Sequence, residues 1–422
     1  MRARILIVGG GIMGVSTALR CAQRTADPNR DPVVLLEKKH LGAGSSGRSG
    51  AILRQHYHDA VVARMARDSL REYAGFEERT GLPLGFHRTG VLTLAGPAQP
   101  DWCQRIRDNV AMLRDLGIDT ELVDATRMRA LVPGIQVANE AVGAWEPGGG
   151  FVDPNRTLES FAKLARSHGA TTRIGVELTG IRVANGRVIG ARTSEGDYEA
   201  EQVVVVAGPW TRALFRELGL DFPLKVVRPE NHYLAVPEMA SDGEESSRRP
   251  SFSLEELQEP SRASARAVRG LHPVLIDLEH GFYARCDPAH ARTRVGHVDY
   301  DDDHELADPD TLVEEVSDEL KRWSRTALSK RLPPYAERPD AGSIAAWYTL
   351  TPDAQALIGP VPGIAGLFIV TGFSGHGFKL GPSVGEGVAQ MLFDEPVTAL
   401  DPDFFSPTRF KGGESWGGRF GL

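Results

Sequence analysis

The chain has 422 residues, 41% hydrophobic and 25% charged, which is ordinary globular usage and room for two or three domains or one large composite. These proportions exclude a disordered, collagen-like or membrane-embedded protein, and a net charge of −8 argues against a nucleic-acid binder. Three scattered cysteines, Cys21, Cys103 and Cys286, suit neither a disulfide framework nor a zinc knuckle and point to a reducing compartment.

The apolar run Ile5-Leu6-Ile7-Val8 breaks at glycine too early for a secretory leader. The longest later run, Val203 to Ala207, falls far short of the roughly 20 residues that span a bilayer. A soluble cytoplasmic protein is expected.

In chain order, Arg4–Val8 predicts a strand buried on both faces of a parallel sheet. A glycine loop follows, then a helix over 15–23, a polar loop and a second buried strand, Val33–Leu36, ending at Glu37. Helical spacing covers 58–80 and about 102–116, with strand-like text near 90–94. Asp153-Pro154 opens a helix to about His168. Strands are expected near 173–183 and 187–193, joined by an Asn185-Gly186 hairpin turn, and Val203–Val206 reads as a third buried strand. A C-terminal helix covers 383–392. Residues 239–270, polar and poor in apolar side chains, read as an inserted mobile loop or a lid, and 411–422 as a flexible tail. The run Asp301-Asp302-Asp303-His304-Glu305 reads as a solvated turn, and no metal site is expected.

Gly9, Gly11 and Gly14 occupy G-x-G-x-x-G positions between a buried strand and a helix. The first permits a tight turn, the second lets backbone approach a pyrophosphate, and the third lets helix pack on strand. Ile12 and Met13 then stand at the helix start, whose amides and dipole favour phosphate. Glu37, followed by Lys38, sits where a carboxylate accepts from adenosine ribose hydroxyls. The unit predicts a bound dinucleotide. The small and hydroxyl residues Gly44-Ser45-Ser46-Gly47-Arg48-Ser49 can follow a pyrophosphate closely, a loop that nicotinamide dehydrogenases do not need. Late in the chain, Gly372-Phe373-Ser374-Gly375-His376-Gly377-Phe378-Lys379 opens the last helix, and its amides suit negative charge on a reduced flavin ring.

These strings, with Val152-Asp153-Pro154, Val205-Val206-Ala207-Gly208, Gly281-Phe282-Tyr283 and Tyr348-Thr349-Leu350-Thr351-Pro352-Asp353, resemble the D-amino-acid-oxidase-like flavoproteins, within them the sarcosine oxidase and N-methyl amino acid oxidase branch. The resemblance spans most of the chain. It implies an α/β fold: a Rossmann-like FAD-binding domain from discontinuous segments (1–85, 150–222 and 335–422) and an α+β substrate domain with an antiparallel sheet (86–149 and 223–334). It implies FAD contacts from the glycine loop, Glu37, Lys38, Ser45, Ser46, Arg48, Ser49, Val176, Ala207, Gly208, Trp210, Gly375, His376, Gly377 and Lys379.

The resemblance further implies that Arg54 and Lys379 pair with a substrate carboxylate, that Tyr283 and Tyr348 are active-site tyrosines, and that His376 stands beside the flavin. A planar guanidinium and a point charge suit carboxylate capture. Read as residues alone, Arg54 could instead form a structural ion pair, Lys379 a solvated charge, and the tyrosines and His376 ordinary packing. Two departures stand out. Where monomeric sarcosine oxidases tether flavin through a cysteine, this chain has Ala345-Ala346-Trp347-Tyr348, so non-covalent FAD is expected unless His56 or His58 makes a bond. Arg294 occupies the position of the family's oxygen-activating lysine, which keeps the charge but puts oxygen reactivity in question.

The implied activity is oxidation of the C–N bond of a small secondary, N-methylated or cyclic amino acid, with electrons passed to oxygen to give hydrogen peroxide. A dehydrogenase subunit serving another acceptor, a non-catalytic flavin-binding assembly protein and a nicotinamide enzyme are the alternatives.

Overall fold

The computed structural model describes residues 1–237, 272–299, 305–410, 412 and 416. The readings made for 239–270, for Asp301–His304 and for most of 411–422 lie outside them.

Strand β1 (Arg2–Val8) runs into helix α1 (Ile12–Arg24) and then strand β2 (Val33–Glu37). β1 lies parallel between β2 and the strand Gly196–Val205. The sheet extends in parallel through Thr171–Ile174 on one side and Leu367–Thr371 on the other, and ends at antiparallel Leu357–Pro360. Period-two alternation sends Ile5 and Ile7 into one hydrophobic core, with α1 and the last helix, and Leu6 and Val8 into another. An all-apolar strand buried on both faces is what a central parallel strand requires. Helix Gly381–Leu392 packs on α1, and a Cβ on Gly385 would lie 2.6 Å from the Ser16 carbonyl carbon, so glycine sets that approach.

The second sheet has eight strands, ordered 340–345, 230–235, 292–297, 282–287, 274–277, 91–95, 142–146 and 121–123, antiparallel except where 274–277 meets 91–95. One face packs on helix Pro100–Asp115, the other on Ala125–Leu131 and Asp318–Arg331. Register sets Tyr283 opposite Gly296 and Arg285 opposite Arg294; on the next strand Asn231 stands beside Gly296 and Tyr233 beside Arg294. All six therefore share one face.

Two expectations are corrected. The strand expected over 173–183 is two strands, Thr171–Ile174 and Leu178–Ala184, broken at Gly175, whose φ of +82° no strand residue adopts. Val176 lies in the gap and donates its amide to the Glu37 carbonyl at 3.0 Å. Residues 340–345, drawn with the cofactor unit, pair instead with 230–235 in the second sheet. The Asn185-Gly186 turn has φ of +50° and +70°, both left-handed, as a type I′ hairpin demands.

Candidate active site

The carboxyl ends of β1 and β2 open on a cleft of about 530 Å³. Open α/β sheets bind ligands at this edge, where strand order reverses. Gly9 turns the chain with φ +120°, and a Cβ there would meet the Val206 carbonyl oxygen at 2.5 Å. A Cβ on Gly14 would lie 1.9 Å from the Gly9 carbonyl oxygen, so this glycine seats α1 on the strand and does not line the cleft. A Cβ on Gly11 would meet only Ser46, at 3.0 Å, so Gly11 faces open space.

Ile12 donates its amide to Ser46 Oγ at 3.0 Å. That hydroxyl keeps its own proton to donate into the cleft. Glu37 accepts the Gly10 amide and the Lys39 amide, each at 2.8 Å, and a carboxylate so engaged retains lone pairs for hydroxyl donors. Lys38 lies over the Trp210 ring at 4.2 Å, and both Lys38 and the Trp210 indole N–H bond to Asp310. Arg48 donates to the Ala345 carbonyl at 3.0 Å and to Glu314, and stacks over Trp347 at 5.0 Å. Ser45, Ser49, Met13, Val176, Ala207, Gly208, Gly375 and Gly377 also line the cleft. Glycines at the pyrophosphate turn, a helix start with open amides, a ribose-seeking acid and a hydroxyl loop fit a dinucleotide such as FAD.

Of the six expected catalytic residues two line the cleft, three form a buried cluster, and Tyr283 does neither. Arg294 and Tyr348 line the cleft, with Phe373 of the glycine hook. Arg294 is 3% exposed. It donates to Asn231 Oδ1 at 3.0 Å, to the Arg48 carbonyl at 2.8 Å and to the Tyr233 hydroxyl at 3.5 Å. Burial opposes its charge, but the hydroxyls of Tyr283, Tyr233 and Tyr348 hold it protonated. Tyr283 donates to the same Asn231 oxygen, and Gly296 leaves the room: a Cβ there would lie 2.4 Å from that atom.

Arg54, Lys379 and His376 do not line the cleft; they form a buried cluster beside the hook. Arg54 lies over the Tyr57 ring at 4.2 Å and donates to the His56 carbonyl. Lys379 donates to the His376 carbonyl at 3.3 Å; burial, then Arg54, push its ammonium well below the usual lysine range. His376 was expected against the flavin, yet its ring turns into the protein. Its Nε2 is 2.8 Å from the Ala354 carbonyl and its Nδ1 3.5 Å from the Tyr57 hydroxyl. The carbonyl can only accept, so Nε2 carries the proton and Nδ1 accepts from Tyr57. Burial, then Lys379, hold this imidazole neutral, down to about 3.

Glu146, fully buried, joins this cluster; its Oε1 accepts the Gln55 amide at 2.5 Å, and burial raises it to about 7 against the pull of that amide and of Arg54. Glu146 and Asn231 were not anticipated in the sequence. Asn231 meets Tyr283 only through the register of three strands, and nothing local marks either it or Glu146. None of the three cysteines lines the cleft. His56 is buried with Nε2 3.2 Å from the Asn109 amide, and His58 is exposed; neither reaches the cleft wall. Asp277, Glu279 and His280 converge as metal ligands would, but the Arg331 guanidinium already bridges Asp277 (2.7 Å) and Glu279 (2.5 Å).

Among proteins of known function, mouse mitochondrial dimethylglycine dehydrogenase is 26% identical over 442 residues, covering 99% of this chain and 46% of that protein. The chain thus spans about half the length of that relative. Human peroxisomal sarcosine oxidase is 26% identical over 384 residues, covering 90% of each. Among solved structures, L-proline dehydrogenase from P. horikoshii superposes with a TM-score of 0.80 at 24% identity over 98% of this chain and 99% of that one. No helix among the described residues is long and apolar enough to cross a membrane. Residues 4–391 match the model of the DAO family, FAD dependent oxidoreductase, so the chain belongs to that family and FAD is the cofactor its cleft is built to hold.

Proposed function

We propose that this protein oxidises the C–N bond of a small secondary, N-methylated or cyclic amino acid. One observation carries the reading. Arg54 and Lys379 are both buried at the end of the glycine hook, close enough for the guanidinium to depress the ammonium against the pull of Glu146. Two cations buried at one place suit an anionic ligand, and an amino acid carboxylate is such an anion. FAD, when bound, accepts the hydride equivalent that leaves the carbon next to nitrogen.

The chain's own residues supply position and field. Arg54 offers two parallel N–H donors and Lys379 a point charge, which together fix the carboxylate and hence the reacting C–H bond. Tyr348 and Phe373 give the cleft wall an aromatic surface beside the hook. Desolvation there favours the neutral amine, which alone can lose a hydride equivalent. His376, neutral, accepts from Tyr57 and keeps that ring under Arg54. The resulting imine is hydrolysed by water to an amine and a carbonyl compound. Arg294 holds a fixed positive charge at the cleft wall, which favours negative charge developing when electrons pass to oxygen to give hydrogen peroxide. FAD is held non-covalently in this reading, supported by the absence of cysteine, His56 and His58 from the lining among the described residues. The discontinuous two-domain division and a cytoplasmic site belong to the same proposal.

A second reading, a dehydrogenase serving a partner or other acceptor, is favoured by Arg294 replacing the family's lysine and by the chain matching half of a longer dehydrogenase. The test is anaerobic mixing of the FAD-loaded protein with sarcosine, dimethylglycine, N-methylalanine and L-proline. Loss of the oxidised flavin band is expected. Reoxidation by air within a turnover supports the oxidase; reoxidation only by an added dye supports the dehydrogenase. No bleaching with any amine refutes both.

A further inference from the structure

Arg285 stands outside the roles described so far. It lies on the central strand Phe282–Asp287, opposite Arg294 and on the face that carries Tyr283, Asn231 and Tyr233. It is 7% exposed. Its Nη1 donates to the Cys286 carbonyl at 2.8 Å, and its guanidinium covers the Phe151 ring at 4.4 Å. Its Nε is sealed from solvent with no acceptor, and no carboxylate pairs with it among the described residues. Asp287, the nearest acid on that strand, is bound to Arg292 at 2.9 Å and His290 at 3.0 Å.

A buried guanidinium that no carboxylate pairs among the described residues is expensive, because little of its desolvation is repaid. The neighbouring Arg294 adds like charge, and burial followed by that repulsion lowers the Arg285 pKa although Asp287 pulls the other way. The position is nevertheless fixed by a packed ring and a backbone bond. Phe151 ties it to the substrate side: residues 150–151 pair with 52–53, and the next residue is Arg54. Two arginines thus flank one short ribbon, Arg54 at its end and Arg285 over its aromatic face.

We propose that Arg285 is a second anion subsite, and that the substrate is an amino acid carrying a further carboxylate, as in N-methylaspartate, N-methylglutamate or iminodiacetate. The inference rests on the reading that Arg54 and Lys379 take the first carboxylate. The second carboxylate, reaching past the amine, supplies the acceptor that the Arg285 Nε lacks. A monocarboxylate leaves that charge unpaired and binds less well.

The test uses the FAD-loaded protein and anaerobic bleaching titrations with sarcosine and N-methylalanine against N-methylaspartate, N-methylglutamate and iminodiacetate. The wild type is expected to bind at least one dicarboxylate about 10-fold or more tightly than the monocarboxylates, the scale of a charge-assisted bond. Arg285→Leu should erase that preference and leave monocarboxylate binding within about 2-fold, while Arg285→Lys retains part of it. Flavin content and melting temperature monitor folding of both variants. If monocarboxylates bleach the flavin and no dicarboxylate outdoes them in the wild type, this inference falls and the carboxylate site at Arg54 stands; that comparison needs no variant. Equal weakening of both classes in Arg285→Leu also overturns it. If no amine bleaches the flavin, the proposed function fails and takes the subsite with it.

Discussion

Alanine at Gly11 and at Gly14, made separately, divides cofactor grip from packing. At Gly14 the added Cβ would sit 1.9 Å from the Gly9 carbonyl oxygen and 3.2 Å from a Val206 methyl. The first is a backbone atom in a turn at φ +120°, so it cannot swing aside, and α1 must lift from β1. Overpacking a rigid site costs about 1–3 kcal/mol and more when backbone must move; here about 3 kcal/mol or more is expected, lost by apoprotein and holoprotein alike. Gly11 differs. Its φ of −80° and ψ of −178° suit alanine, and its Cβ would meet only Ser46 Oγ at 3.0 Å. Reduced freedom of the unfolded chain contributes about 0.4–1 kcal/mol in favour, roughly offset by a poorer helix cap. Apoprotein stability should therefore stay within about 1 kcal/mol, while the methyl stands where a pyrophosphate must approach. Urea unfolding of flavin-free protein gives the first quantity and flavin absorbance on titration with FAD the second. Gly11→Ala should fold and lose most FAD affinity; Gly14→Ala should unfold early. A Gly11→Ala protein that binds FAD as wild type does, or a Gly14→Ala apoprotein of unchanged stability, refutes the division of roles.

Arg54→Lys keeps the charge but loses the planar fork, so the Kd of a carboxylate substrate should rise about 10-fold, and Arg54→Ala further, with flavin content unchanged; anaerobic titration reads both. Glu146 is raised in the fold from its ordinary 4.5 to about 7, so folding favours its protonated form. Its penalty is absent below the unfolded value, grows as pH rises through this window, and reaches about 3 kcal/mol above it. Urea midpoints between pH 4.5 and 7.5 should therefore fall less in Glu146→Gln than in wild type; parallel profiles refute it. Asp277 is buried against Arg331, and although burial alone would raise its carboxyl, His280 and Arg331 hold it below the usual carboxylate range. Arg331→Leu strands that acid and should cost about 3–5 kcal/mol by denaturant unfolding.

The cofactor half of the site was legible because its chemistry is local. A glycine turn, a helix start and an acid at the end of β2 lie within one short stretch, and Ser46 follows in the loop that closes on Ile12. The proposed substrate side was read only through resemblance. Glu146 accepts the Gln55 amide from a strand 91 residues away in sequence, and the Asn231 oxygen joins Tyr283 and Arg294 across three strands. Such contacts depend on register, which no local spacing encodes. His376 shows the converse limit. Its string is the most distinctive in the chain, yet the backbone around it faces the cleft while its ring bonds Ala354 and Tyr57. Sequence places a residue in a loop; the φ of +46° at Ser374 and +85° at Gly375 decide which way the loop points it.

Charge balance connects the cofactor wall to the substrate wall. Arg54, Lys379, Arg285 and Arg294 are all buried; Glu146 acts on Arg54 and Lys379, and Asp287 on Arg285. Buried positive charge in one region weakens the ligand-free protein, since charge taken out of water costs several kcal/mol after relaxation unless it is fully compensated. A fold tolerates that cost where the missing anions arrive as ligands, and the arrangement of the cations then specifies them. Arg294, bonded to the Arg48 carbonyl and lining the cleft, is held on the cofactor side. In the proposed reading Arg54 and Lys379 take one carboxylate, and Arg285, one strand from Arg294 and stacked on Phe151, takes another. Neutralising Arg285 alone should therefore stabilise the ligand-free protein, because it removes like charge beside Arg294, while it weakens binding of a dicarboxylate. Arg285→Gln that melts well below the wild type without ligand would mean that the guanidinium is structural, and that its missing acceptor is of no consequence for substrate choice.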